Sequence, residues 1–290
     1  MKILILGGTG QLGKTLLVYP WGDDVTLSAP SRQELDVLDH KGVRDFVLKF
    51  QPDYLINASA WTNVVAAENE VKSATELNVE AVENLANICR DADITLIHVS
   101  TDYVFDGLKG TAYLESDPPN PQSSYGKSKY LGEQAISNSG ATKFYVIRTS
   151  WLYSAHGKNF VKTIVAKALS NQPISIVDDQ FGSPTFAGDL AAGIASVTGV
   201  KPKYGIYHFS NSGRISWFDL GRAIYEELGS DVELVTSRET EANELKRPVD
   251  STLDTKKWHD SNLLQIPEWR ASLNKEMPSI QETVESEITS

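Results

Sequence analysis

Hydrophobic and polar positions along the first half of the chain alternate between two periods. Short apolar runs at Ile3–Leu6, Val25–Ser28, Tyr54–Asn57, Ile94–Val99 and Phe144–Arg148 have the length and composition of strands. Between them lie stretches with apolar residues at helical spacing. One starts near Gln11 and ends before Pro20. The next covers His40–Phe50, with Val43, Phe46, Val47 and Phe50 on one face and Asp39 as its N-cap. A long helix near Ala74–Arg90 carries Leu77, Ala81, Leu85 and Ile88 as one stripe, and another contains Tyr125–Ile136. Strands alternating with helices predict βαβ units and a doubly wound parallel sheet.

The second half is less regular. Pro173, Pro184, Pro202 and Pro248 punctuate short elements, and the acidic, serine-rich stretch after Leu273 has the composition of a solvated tail. The expected organisation is a large domain over 1–150 that also receives roughly 186–210. A smaller lobe is built from 151–185 and 211–273, a tail covers 274–290, and a cleft separates lobe from domain.

Composition narrows the partners. A net charge of −11 argues against nucleic acid and anionic membrane, but a few local donors can still hold a phosphate-bearing small molecule. One cysteine, Cys89, excludes a disulfide framework and suits a reducing compartment; the five histidines are scattered, without metal-ligand spacing. The apolar run after Lys2 is shorter than a signal-peptide core or a membrane span, so the cytoplasm is the expected location.

Gly7-Gly8-Thr9-Gly10-Gln11-Leu12-Gly13 falls between a predicted strand and a predicted helix. Glycine is needed where such a turn is tight and the backbone must approach a pyrophosphate, whose charge the helix N-terminal amides then hold. Two spacings coexist, GxGxxG through Gly8, Gly10 and Gly13, and GxxGxxG through Gly7, Gly10 and Gly13. Residues 1–150 are therefore read as a dinucleotide-binding domain, with Gly7, Thr9, Gly10, Gln11, Leu12 and Gly13 as loop contacts. The second strand ends in Ser28-Ala29-Pro30-Ser31-Arg32, without the carboxylate that would hold a ribose 2′-hydroxyl. Arg32 can pair with a 2′-phosphate, so NADPH is the expected cofactor, with NADH as the alternative.

Tyr125 and Lys129 stand at i,i+4 on one helix face. A phenol titrates near pH ~10 unperturbed, and an adjacent ammonium favours its ionised form, so the pair can exchange protons at neutral pH. Ser100-Thr101-Asp102 ends the fourth strand, at the sheet edge that faces the ligand crevice in open α/β folds. A Thr101 hydroxyl there can hydrogen-bond a substrate oxygen.

With these motifs in place the chain resembles the dTDP-4-dehydrorhamnose reductase family of extended short-chain dehydrogenases/reductases. The matching stretches are GGTGQLG (Gly7–Gly13), LDVLD (Leu35–Asp39), NASAWTNV (Asn57–Val64), STDYVFDG (Ser100–Gly107), YGKSKYLGE (Tyr125–Glu133), RTSWLY (Arg148–Tyr153), DQFGSPT (Asp179–Thr185) and KRPVDSTLD (Lys246–Asp254). The resemblance implies an α/β, Rossmann-type doubly wound parallel sheet with a smaller C-terminal substrate-binding lobe. It implies hydride transfer to C4 of a dTDP-linked 4-ketosugar, giving dTDP-L-rhamnose. Tyr125 would protonate the oxygen, Lys129 would tune it, and Thr101 would hydrogen-bond it. Asp36 and Val37 match the segment contacting adenine, and Ala58, Ser59 and Ala60 the loop bordering the cofactor. On the substrate side it implies Thr101, Asp102, Tyr103, Trp151, Asn159, Gln180 and Arg247.

The chain also departs from that pattern. Val65-Ala66 precedes Ala67-Glu68 where many relatives have an acidic and a basic residue. Lys14-Thr15 and Gly188 stand where some relatives place carboxylates that bridge subunits through magnesium. No structural metal is expected, and a monomer or metal-independent homodimer is. Two other readings compete: a different nucleotide-4-ketosugar reductase or epimerase, and a non-catalytic NADP-binding regulatory subunit of a methionine adenosyltransferase.

Overall fold

In a computed structural model that describes residues 1–238 and 247–289, six parallel strands form the central sheet. They are β1 (Lys2–Leu6), β2 (Thr26–Ser28), β3 (Tyr54–Asn57), β4 (Thr95–Thr101), β5 (Phe144–Thr149) and a sixth, Gly205–His208. The sixth strand pairs with β5, and the order continues β5-β4-β3-β1-β2. β1, β3 and β4 are almost wholly buried, which is why their sequences read as continuous apolar runs without alternation. The chain leaves β1 toward β2 on one side and returns to β3 on the other. That reversal opens a crevice beyond the carboxyl ends of β1 and β3.

One cover of the sheet is the Gln11–Val18 helix against Ala187–Val200, sharing a core with Ile3, Ile5, Tyr145 and Tyr207. Trp258, Leu263 and Ile266 fill the same core, so part of the segment expected in the lobe closes the large domain instead. The other cover includes His40–Phe50 and Ala81–Asp91. The helix predicted near Ala74–Arg90 is interrupted: Val71–Thr75 and Ala81–Asp91 flank a π-turn at Glu76–Glu80. That turn holds Asn78, whose side chain accepts from Trp61 N at 2.8 Å and donates to Ser128 Oγ at 2.9 Å. It thereby ties the loop after β3 to the helix that carries Tyr125.

The expected solvated tail is instead a helix, Trp269–Thr289. It buries Leu273, Met277, Ile280 and Val284 against Phe160–Leu169 and Trp217–Leu228. The serines and glutamates that suggested solvation lie largely on its outer face. Sparse apolar residues spaced three or four apart are enough for one buried stripe. Lys246, the first residue of the KRPVDSTLD stretch, and Ser290 at the end of the tail lie outside the described residues. Among the described residues no helix is long and apolar enough to cross a membrane.

Candidate active site

The glycine loop takes the form its sequence demands. Gly7 has φ +83°, and a Cβ there would fall 2.7 Å from Ala58 C and Ser59 N. Only glycine lets the loop after β1 touch the loop after β3 so closely. The Gln11–Val18 helix follows with Gly10 as an N-cap that supplies no side-chain bond, so its first amides face the crevice uncapped.

A cleft of about 560 Å³ opens at this edge. Gly10, Gln11, Leu12, Ala58, Ser59 and Ala60 line its sheet side, and Trp151, Asn159, Phe160 and Trp217 its lobe side. Between them stand Thr101, Asp102, Tyr103, Tyr125 and Lys129. The size is that of a small-molecule site. Gln11 and Asn159 meet across it, Asn159 Nδ2 donating to Gln11 Oε1 at 2.8 Å, while Gln11 Nε2 donates to Leu152 O at 3.1 Å. Asn159 also caps the Phe160–Leu169 helix, accepting from Lys162 N. Its side chain is thus committed to joining the halves.

Tyr125 lies in the first turn of the Ser124–Asn138 helix, which Ser123 caps through Gly126 N at 3.1 Å. Its ring packs on Ala67 and Ala74 and meets Tyr103 edge-on at 5.6 Å. Burial pushes its phenol up to about 12, a hydrogen bond with Thr101 pulls the other way, and the Asp102 charge adds to the rise. Tyr125 therefore holds its proton at neutral pH, as a proton donor must, but burial raises its pKa where a neighbouring ammonium was expected to lower it. Lys129 points elsewhere: its Nζ donates to Val99 O at 2.7 Å and lies 3.2 Å from His98 Nε2. Burial lowers its ammonium to about 8, against an upward pull from Glu133.

Asp102 is fully enclosed. It accepts from Thr101 Oγ1 at 3.0 Å and from Ser251 Oγ at 2.5 Å, and burial still pushes its carboxyl up to about 6. A raised folded-state pKa stabilises the fold below the ordinary carboxylate range, and that contribution is lost as pH rises through 6. Asp102→Asn is expected to raise the unfolding free energy near pH 8 by about 1–3 kcal/mol. It should also flatten the stability profile between pH 4 and 6. Denaturant titrations across that range check it; an unchanged profile would count against the buried charge.

Trp151 holds a left-handed backbone (φ +46°) and stacks on Trp217 with centroids 3.5 Å apart at 9°. A Cβ at Gly182 would crowd the Trp151 indole at 2.7 Å, which accounts for the glycine in DQFGSPT. Gln180 does not line the cleft: it is buried with Nε2 unpaired, and its carbonyl accepts from Trp217 N. Arg247 is half-buried beside Pro248, also outside the cleft lining. Val37 belongs to the core beneath β1, not to an open surface. Arg32 is exposed and paired with Asp36 at 3.1 Å, a contact weak enough for a competing phosphate to displace.

Sequence reasoning passed over two site residues. Ser251 lies in a stretch noted for resemblance only, and its partner, Asp102, is 149 residues away. Trp217 opens a helix behind the capping box of Ser216 and Asp219, a local signal that fixes the helix start but not the cleft.

Residues 1–281 match the model of the RmlD substrate binding domain. The chain belongs to this family. It is 37% identical over 286 residues to the dTDP-4-dehydrorhamnose reductase of Aggregatibacter actinomycetemcomitans, covering 94% of this chain and 97% of that one. It is 34% identical over 278 residues to a dTDP-4-keto-6-deoxy-D-glucose reductase of Streptomyces niveus, covering 95% and 96%. A crystal structure of dTDP-4-dehydrorhamnose reductase from Bacillus anthracis, in complex with NADP, superposes with a TM-score of 0.91. Identity there is 32%, over 96% of this chain and 98% of that one.

Proposed function

We propose that this chain reduces the C4 ketone of dTDP-4-dehydro-L-rhamnose to dTDP-L-rhamnose with NADPH. The observation that carries the reading is the convergence of Thr101, Tyr125 and Lys129 on one wall of a cleft whose other end is the glycine loop. That loop fits a dinucleotide: Gly7 keeps clear the space a Cβ would fill, and the uncapped helix start offers amides to a diphosphate. The cofactor, when bound, supplies the hydride.

The chain's own residues supply the rest. Thr101 and Tyr125 face the position of the ketone oxygen and stabilise negative charge where it develops. Tyr125 holds its proton at neutral pH and gives it to that oxygen. Lys129 and the loop Ala58–Ser59–Ala60, which line the same cleft, would hold the nicotinamide ribose. The stacked Trp151 and Trp217 form an apolar wall for the deoxysugar on the lobe side. Arg32 would hold the 2′-phosphate. Arg32→Ala is expected to raise KM for NADPH about tenfold and leave KM for NADH unchanged, measured by initial rates with each cofactor. Equal effects on both would remove that assignment.

The Streptomyces niveus relative supports a second reading, reduction of a different dTDP-4-ketosugar in the same cleft. Incubation with NADPH and each 4-keto sugar nucleotide, followed by identification of the product, separates the two. Lack of NADPH oxidation with every one would overturn both and favour a regulatory role. The same reading places the enzyme in the cytoplasm as a monomer or metal-independent homodimer; a change of mass by light scattering on adding EDTA would contradict the latter.

A further inference from the structure

Beneath Lys129 lies a buried polar chain that the catalytic reading does not use. Asn57, the last residue of β3, accepts at Oδ1 from Ser59 N at 3.1 Å and from Ser59 Oγ at 2.6 Å. Its amide orientation is thereby settled, and Nδ2 must face His98 Nδ1, 3.1 Å away. An N–H donor on that side makes Nδ1 the acceptor. His98 is wholly buried, which holds the imidazole neutral, and the Lys129 charge acts the same way. A neutral ring with Nδ1 unprotonated carries its proton on Nε2. That Nε2 lies 3.2 Å from Lys129 Nζ.

We propose that His98, locked by Asn57 as the Nε2–H tautomer, is a positioning residue that sorts Lys129 by charge state. The neutral amine would accept from Nε2–H and donate to Val99 O, across the 3.2 and 2.7 Å separations that the structure shows. The ammonium keeps Val99 O as an acceptor but meets a donor at His98, and that clash of donors weakens the inward pose and turns the ammonium into the cleft toward Tyr125 and the cofactor ribose. The charged groups around Lys129 are few. Glu133, on its own helix, is tied to Ser100 of β4 and Arg148 of β5, and Asp102 acts on Tyr125. Ser59 links the sorting device to the loop that borders the cofactor.

The test has two arms. Histidine-selective 15N NMR of the wild-type enzyme is expected to find the His98 proton on Nε2; a proton on Nδ1 overturns the proposal. Asn57→Asp keeps the acceptor for Ser59 but offers His98 an acceptor, so the tautomer should reverse and Nε2 should accept from the ammonium. The alkaline limb of the kcat–pH profile is then expected to move up by about one unit, roughly tenfold in proton affinity. A reversed tautomer with an unmoved limb, or an unreversed tautomer in the folded variant, overturns it. If Asn57→Asp does not fold, the wild-type spectrum decides. The NMR outcome stands whichever sugar is reduced, whereas the pH profile rests on the proposed reductase activity.

Discussion

Tyr125→Phe is expected to lower kcat for ketosugar reduction by about 10²–10⁴-fold while leaving KM for NADPH within about twofold. The substitution removes one hydroxyl and keeps the ring, whose packing on Ala67, Ala74, Trp61 and Val64 is apolar. The fold should therefore be unaffected, which a thermal melt checks alongside single-turnover rates. What is lost is a proton held at about 12 by burial, next to Thr101 and Asp102. A phenol so high supplies its proton across the whole neutral range, so the acidic limb of the wild-type profile should come from Asp102, near 6. Residual activity within tenfold of wild type would remove Tyr125 from the proton-donor role.

The second large effect concerns stability. Glu133→Ala is expected to cost about 3–5 kcal/mol of unfolding free energy, because it strands a buried guanidinium. Arg148 and Glu133 are nearly inaccessible, joined by Nη2–Oε2 at 2.6 Å and Nε–Oε1 at 3.0 Å, with Ser100 Oγ also on Glu133. Phe105 lies under the guanidinium at 5.0 Å. The double replacement Glu133→Leu with Arg148→Met should recover most of the loss, since it removes both charges from the interior. Equilibrium denaturation of the single and double variants measures this. A single variant within about 1 kcal/mol of wild type would contradict the buried pair.

This pair also marks how far the sequence could be read. Glu133 closes YGKSKYLGE and Arg148 opens RTSWLY, so two separately recognised stretches turn out to be held to each other. The resemblance drew attention to both without indicating that their last and first residues form one ion pair. Strand positions were legible because β1, β3 and β4 are buried on both faces and therefore apolar throughout. The glycine loop was legible because φ > 0 and close backbone approach leave no other residue type at Gly7. Lys129 was identified by its spacing from Tyr125, but its direction was not, since His98 and Val99 lie 30 residues or so upstream. Trp217 reaches the cleft, and Ser251 the Asp102 carboxyl, only through tertiary contacts. The last helix was misread because its apolar residues are few and spread over five turns.

The threading of the chain imposes an order of birth. The large domain's core needs Trp258 and Ile266, and the lobe's core needs Met277, Ile280 and Val284 from the final helix. Neither half can close while the ribosome is still making the first 250 residues, so the usual sequence of one finished domain followed by the next is denied to this protein. The nascent chain must keep a half-built sheet and the open face of the lobe out of trouble until residues 258–284 have been made, and then settle both together. Late truncation should accordingly harm the glycine-loop half as well as the lobe it visibly touches.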